Sequence, residues 1–111
     1  LSQEGVFCRG CKMEVKELQN KADEIIKIMD RTLGINHDAD KTIIHILEEL
    51  GEIARQINNV NIRKIEQDKE NLEEEIADVI ILTIRLANIY NLDIEKAIIN
   101  KIKKLKARYN L

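Results

Sequence analysis

Apolar residues recur at three- and four-residue spacing along most of the chain, which is the pattern of amphipathic α-helices. The first helix is predicted from about Glu14 to Thr32, and Gly34 is expected to end it in a left-handed conformation. The second is predicted from about Lys41 to Ile57, with Asp40 as its N-cap. The polar residues between these two segments indicate a loop.

The second half of the chain shows the same periodicity. Asparagines at the end of the second helix are expected to break it, so residues 58–70 are predicted to form a connection. A third helix is predicted from Asn71, with Glu74 as its capping-box partner, to about Tyr90. Asp93 is expected to cap a fourth helix that reaches about Tyr109. Long helices joined by short links predict an all-α fold, a four-helix bundle.

The third helix carries apolar side chains almost all round its cylinder, over residues 79–84. Such a run also suits a β-strand, but Ile76 and Ala87 continue the helical repeat on either side. A helix that is apolar on every side is usually buried on every side, and three other helices of this small chain cannot surround it. We therefore expect association of subunits to complete the bundle, as a homodimer or a homotetramer.

Composition limits the class of protein further. The 111 residues suit one domain, and 18 basic against 20 acidic residues leave a formal net charge of −2. A general nucleic-acid-binding domain is usually strongly basic, so no nucleic-acid partner is expected. No apolar run approaches the ~18 to 20 residues that span a bilayer. No secretory signal is visible either, so we expect a cytoplasmic protein without a membrane partner.

Two cysteines, Cys8 and Cys11, lie ahead of the helical pattern. A single C-x-x-C supplies half of a zinc site, and no second pair is present to complete it. Residues 1–12 are predicted to be a loose tail, or an extension added for expression, and residues 13–111 the helical domain. A metal or redox role for the cysteines is the alternative.

Carboxylates cluster on two of the predicted helices: Glu48, Glu49 and Glu52 on the second, and Glu75 and Asp78 on the third. Acidic runs on helices are usually solvated. Here Glu75 and Asp78 lie among apolar residues, and two carboxylates about 4 Å apart repel by about 4 kcal/mol at an effective dielectric of ~20. A divalent cation offsets that repulsion, and oxygen-only ligands favour Mg²⁺, with Mn²⁺ as a substitute.

The acidic residues form E-E-x-x-E followed by E-x-x-D, which resembles the MazG-type nucleoside triphosphate pyrophosphohydrolases. The resemblance implies an all-α, Mg²⁺-dependent enzyme that hydrolyses NTPs or dNTPs to the monophosphate and pyrophosphate, in house-cleaning of the nucleotide pool. It also assigns roles to individual residues. The implied metal ligands are Glu49, Glu52, Glu75 and Asp78, and the implied catalytic acids are Glu48 and Glu49. For Glu48, a metal ligand, a residue that orients the water and a solvated acid all stay open.

The fourth helix carries a basic stripe of Lys101, Lys104 and Arg108. The resemblance implies that Lys101, Arg108 and Tyr109 bind substrate, with the basic groups on the phosphates. A solvated basic face near a helix C-terminus is the alternative. His45 is expected to be a half-buried helix residue, or else to contact the base, and His37 to be a loop residue.

Two other classes of protein remain open. A ferritin-like di-iron bundle also uses carboxylates on helices, but it expects Glu-x-x-His where this chain has carboxylates at both motif ends. A non-catalytic helical interaction module would use the acids only for solubility. Base preference, sugar preference and the biological pathway do not follow from the sequence.

Overall fold

A computed structural model describes residues 12–111, and within them the chain forms four α-helices and no strand. The all-helical prediction is therefore confirmed for this part of the chain. None of these helices is long and apolar enough to cross a membrane. Cys8 and Cys11, and with them all of the predicted N-terminal tail except Lys12, lie outside the described residues. The helices are α1 (Val15–Leu33), α2 (Ala39–Asn61), α3 (Lys69–Ile89) and α4 (Ile94–Tyr109).

Two helix ends follow the predicted local chemistry. Gly34 adopts φ 69°, and its N–H donates to the Asp30 carbonyl, so it ends α1 as a left-handed cap. The Asp93 side chain accepts from the backbone N–H of Lys96 at 3.1 Å, so it caps α4. Both predictions are confirmed.

Two predicted N-caps are wrong. Asp38, not Asp40, caps α2, because its side chain accepts from the backbone N–H of Lys41 at 2.9 Å. Asp68, not Asn71, caps α3, because its carboxylate accepts from the backbone N–H of Asn71 at 3.1 Å. In both helices the carboxylate nearest the orphan N–H groups lies ahead of the predicted residue, and it takes the capping role.

The asparagines at the end of α2 do not break the helix. Helical hydrogen bonding continues to Asn61, and the Ile62 N–H still donates to the Asn58 carbonyl at 2.8 Å. Asparagine has only a modest helix penalty, which tertiary packing overrides. The connection is therefore shorter than predicted, and Lys64 turns the chain with φ 60°.

The helices pack around α3. Its main neighbours are α2 along one side and α1 along another, while α4 packs mainly against α1. The buried apolar core within the described residues is small, and Ile80 of α3 keeps 49% of its surface exposed. A single chain thus leaves much of the apolar surface of α3 uncovered, and the expected subunit association stays a prediction. The core side chains are Ala22, Ile26, Ile46, Leu82, Ile84 and Ala87.

A buried glutamine ties α1 to the turn between α3 and α4. The Gln19 amide nitrogen donates to the Asn88 side chain at 2.8 Å and to the Leu92 carbonyl at 2.7 Å. Its amide oxygen accepts from the Ile94 N–H at 3.1 Å. One side chain therefore joins the Asn88 side chain of α3 to two backbone groups at the start of α4.

Candidate metal centre

The packing of α2 against α3 brings three predicted metal ligands together. Each of Glu49, Glu75 and Asp78 offers one carboxylate oxygen, and these oxygens lie within 4.8 Å of one another. Glu75 and Asp78 are neighbours because they are three residues apart on α3. Glu49 reaches them from α2, which places one negative side chain opposite two others.

The proximity of these acids changes the pKa of Glu49. A side-chain hydrogen bond with Glu75, burial, and the charges of Glu75 and Asp78 raise the pKa of Glu49 to about 7. Two ionised carboxylates cannot hydrogen-bond to each other, so this contact needs a shared proton. The buried Oε2 atom of Glu75 has no hydrogen-bond partner among the described residues.

A divalent cation fits this arrangement of residues. It would replace the shared proton, neutralise the converging charges and give the Glu75 Oε2 atom a partner. Within the part of the chain that the structure describes, the three groups that converge here all offer carboxylate oxygens, the donor type that Mg²⁺ and Mn²⁺ prefer. Glu49 and Glu75 are half-buried while Asp78 is exposed, so the cluster is partly open to solvent.

Two further predicted acids lie outside this cluster. The Glu52 carboxylate accepts a hydrogen bond from the Arg55 guanidinium at 2.6 Å and is not among the three convergent groups. Glu48 is exposed on α2. The ligand role of Glu52 and the catalytic role of Glu48 stay predictions.

The predicted phosphate-binding residues lie on α4, which carries none of the three convergent carboxylates. Lys101, Arg108 and Tyr109 are exposed on α4, the helix that packs mainly against α1. Among the described residues, no hydrogen bond or ion pair joins them to the carboxylates. Their role in substrate binding stays a prediction.

An apolar cavity of about 210 Å³ opens beside the carboxylates. Asp78 is in its wall, together with the rings of His37 and His45. The rest of the wall is apolar, so the cavity can receive a flat or apolar group close to the metal ligands. Its apolar residues are Ile25, Ile26, Met29, Ile81 and Leu82, from α1 and α3.

A series of side-chain contacts, the first two of them hydrogen bonds, reaches the centre through the two histidines. The Nδ1 atom of His37 is 2.7 Å from Asp30 Oδ1, and its Nε2 atom is 3.1 Å from His45 Nδ1. The Nε2 atom of His45 is in turn 3.4 Å from Glu49 Oε1.

The sequence predicts His37 only as a loop residue; the structure places it in the loop but 8% exposed and hydrogen-bonded at both ring nitrogens. No helical periodicity links Asp30 to His37, because the α1–α2 loop separates them. Only the spacing of His45 and Glu49, four residues apart on α2, was visible in the sequence. The expectation that His45 is half-buried is confirmed.

Comparison with known proteins agrees with the fold and the acidic cluster. The model of the MazG nucleotide pyrophosphohydrolase domain matches residues 37–110, well over half of the chain, so the chain belongs to this family. The matched range includes all five acidic residues predicted for the site: Glu48, Glu49, Glu52, Glu75 and Asp78. The family is metal-dependent, and its activity is nucleotide pyrophosphohydrolysis.

A curated relative, the uncharacterized protein YpjD of Bacillus subtilis (strain 168), is 38% identical over 55 residues. That alignment covers 47% of this chain and 50% of the relative, so the similarity spans about half of each protein. No solved structure matches the chain.

Proposed function

We propose that this protein uses Mg²⁺ to hydrolyse nucleoside or deoxynucleoside triphosphates between the α- and β-phosphates, in house-cleaning of the nucleotide pool. Water is consumed, and the products are a nucleoside monophosphate and pyrophosphate. Membership of the MazG family supports the reaction class. The observation that carries the proposal is the convergence of carboxylate oxygens from Glu49, Glu75 and Asp78, together with the buried Glu75 oxygen that has no hydrogen-bond partner.

Each residue of the centre has its own role in this proposal. Glu49, Glu75 and Asp78 would hold the cation, which supplies charge neutralisation for the phosphates and lowers the pKa of a bound water. Asp78 is the ligand that faces both the open side and the apolar cavity. The cavity is the space for the nucleoside, so the triphosphate would extend across the carboxylates. Exposed Glu48, next to Glu49, is available to orient the attacking water.

We also propose that the working protein is a homodimer or a homotetramer. An apolar cleft of about 380 Å³ runs between α1, α3 and α4, and a second copy with the same apolar surface would cover it. Basic residues of a neighbouring α4 would then be free to approach the carboxylates of this chain. The cleft is lined by Val15, Leu18, Val79, Ile80, Thr83, Ile84, Ile94 and Ile98.

The test is an assay of a nucleotide panel with Mg²⁺, with chromatographic identification of the products. Asp78→Asn keeps the side chain's shape but removes its charge, so it should abolish hydrolysis and leave the helical circular dichroism unchanged. Glu73→Gln is the matched control, because it makes the same kind of change at an exposed position of the same helix. Near-wild-type turnover of Asp78→Asn, or release of phosphate and a diphosphate, would contradict the proposal.

The assay also separates the two alternatives. No turnover on any nucleotide, together with no effect of Mg²⁺ on the unfolding temperature, would favour a helical interaction module. Tight iron binding with O₂-dependent oxidation would instead favour a di-iron carboxylate protein.

A further inference from the structure

We propose that Asp30, His37 and His45 are positioning residues, which hold Glu49 in the geometry that the metal centre needs. This inference rests on the proposed function only in assuming that Glu49 binds a divalent cation. The three residues come from the end of α1, from the α1–α2 loop and from α2. They connect the centre to a part of the fold that carries no predicted metal ligand.

The series of contacts that leads to Glu49 begins at a buried pair, Asp30 and His37. One Asp30 oxygen accepts from the His37 backbone N–H and the other is bonded to the ring nitrogen Nδ1, both at 2.7 Å. Burial alone would raise the pKa of Asp30, but the hydrogen bonds from His37 and the charge of Arg85 outweigh it and lower the pKa. Asp30 is therefore an ionised acceptor, and His37 carries a proton on Nδ1.

The His37 proton determines what the second ring can do. With His37 neutral, its Nε2 atom accepts, so His45 Nδ1–H must donate to it at 3.1 Å. The other ring nitrogen of His45, Nε2, lies 3.4 Å from Glu49 Oε1, so the ring that His37 holds limits where this carboxylate can lie. The rings lie nearly parallel, with centroids 5.3 Å apart and planes inclined by 23°, so each limits the rotation of the other.

The loop that carries His37 is also tied to α3. Arg85 of α3 donates from Nε to the His37 carbonyl at 3.0 Å, and its Nη1 atom is 3.5 Å from Asp23 of α1. The helix that supplies Glu75 and Asp78 therefore holds the loop whose histidine leads to Glu49. Contacts outside the cluster therefore help to fix the position of Glu49 relative to the other two carboxylates.

Outer hydrogen-bond partners of metal ligands typically change metal affinity or activity by about 10- to 100-fold when they are removed. A purely structural Asp–His pair would change stability instead. His45 separates these roles, because its side chain is 41% exposed and contributes little to the core, yet it is the residue that contacts Glu49.

The experiment compares His45→Ala, His45→Gln and the control Asn58→Ala, an exposed polar position of the same helix. The Mn²⁺ dissociation constant of the nucleotide-free protein is measured by titration calorimetry. We expect His45→Ala to weaken Mn²⁺ binding by about 10- to 100-fold. Glutamine can donate its amide N–H to Glu49, so His45→Gln should recover most of the affinity, and Asn58→Ala should match the wild type.

Two further measurements separate positioning from folding. Unfolding temperatures with a chelator present should be similar for His45→Ala and Asn58→Ala. Histidine ring NMR of the wild-type protein should show a slowly exchanging, strongly downfield Nδ1 proton for His37, which a ring without the Asp30 bond would lack. A Mn²⁺ affinity of His45→Ala within twofold of wild type would overturn the proposal.

The outcomes also distinguish this inference from the proposed reaction. Wild-type protein that binds Mn²⁺ but hydrolyses no nucleotide overturns the reaction, while loss of affinity in His45→Ala still supports the positioning chain. Active wild-type enzyme with unchanged Mn²⁺ affinity in His45→Ala overturns the positioning role of these residues and leaves the proposed reaction in place. Wild-type protein that binds no Mn²⁺ overturns both.

Discussion

Glu49 and Glu75 face each other across the contact between α2 and α3, and their carboxylates share a hydrogen bond that raises the pKa of Glu49 to about 7. The nearby charge of Asp78 acts in the same direction. This juxtaposition destabilises the folded, metal-free protein, because deprotonation of Glu49 leaves three converging negative charges. A bound cation would reverse this effect. The contact between the two residues therefore has consequences for both stability and activity.

The first prediction is that the metal-free protein loses stability as pH rises. In the unfolded chain the pKa of Glu49 has its ordinary value of 4.5. In the folded chain it is raised to about 7. Between these values the folded state binds more protons, so the free energy of unfolding falls as pH rises from about 4.5 to about 7. Urea denaturation in chelator at several pH values measures this slope.

The matched variant for that prediction is Glu49→Gln, which cannot titrate and should flatten the slope over the same interval. Excess Mg²⁺ should also flatten it in the wild type by binding the folded state. An unchanged slope in Glu49→Gln would assign the effect to another group. Asp30 does not contribute there, because its pKa is lowered and its titration lies below this range.

The second prediction concerns the basic stripe of α4. Lys101→Ala should reduce kcat/KM by about 10- to 150-fold, because a charge-assisted hydrogen bond to phosphate is worth about 1.5 to 3 kcal/mol where solvent is excluded. Mn²⁺ affinity of the free protein should not fall. Lys103→Ala, also exposed on α4 but off the stripe, is the control. If Lys101→Ala keeps its efficiency within twofold, the stripe is a solvated face.

The third prediction tests the hydrogen bonds through which Gln19 joins α1 to the α3–α4 turn. Gln19 is 7% exposed, and its amide partners are the Asn88 side chain, the Leu92 carbonyl and the Ile94 N–H. Gln19→Ala leaves these groups without that partner and should lower the free energy of unfolding by about 1 to 3 kcal/mol. Urea denaturation measures the difference. Asn20→Ala, at the exposed neighbouring position, should stay within about 0.5 kcal/mol of wild type.

The fourth prediction is that the protein is a homodimer or a homotetramer at micromolar concentration. Ile80 lines the apolar cleft and is half exposed in the single chain, so Ile80→Glu should lower the mass measured by light scattering. A charge buried at such an interface is costly unless it is paired. Ile62→Glu, an exposed isoleucine after α2, should leave the mass unchanged. A monomeric wild type would contradict this prediction.

Local chemistry made part of the fold predictable. Gly34 and Asp93 act within one turn of their own helix ends, and both were assigned correctly from their residue type. The N-terminus of α2 was misplaced because Asp38 and Asp40 are chemically equivalent candidates, and only the chain's path shows which one meets the Lys41 N–H. Local residue type thus predicts that a helix begins near a position, while packing selects the residue.

The candidate site divides in the same way. The sequence by itself determined that Glu75 and Asp78 are neighbours, because residues three apart on a helix always are. Only the tertiary structure decided that Glu49 joins them and that Glu52 does not, since this depends on how α2 lies against α3. The tertiary structure likewise brought His37 of the α1–α2 loop to His45 and thereby linked it to the centre. Such contacts form across helices, so no periodicity along the chain records them.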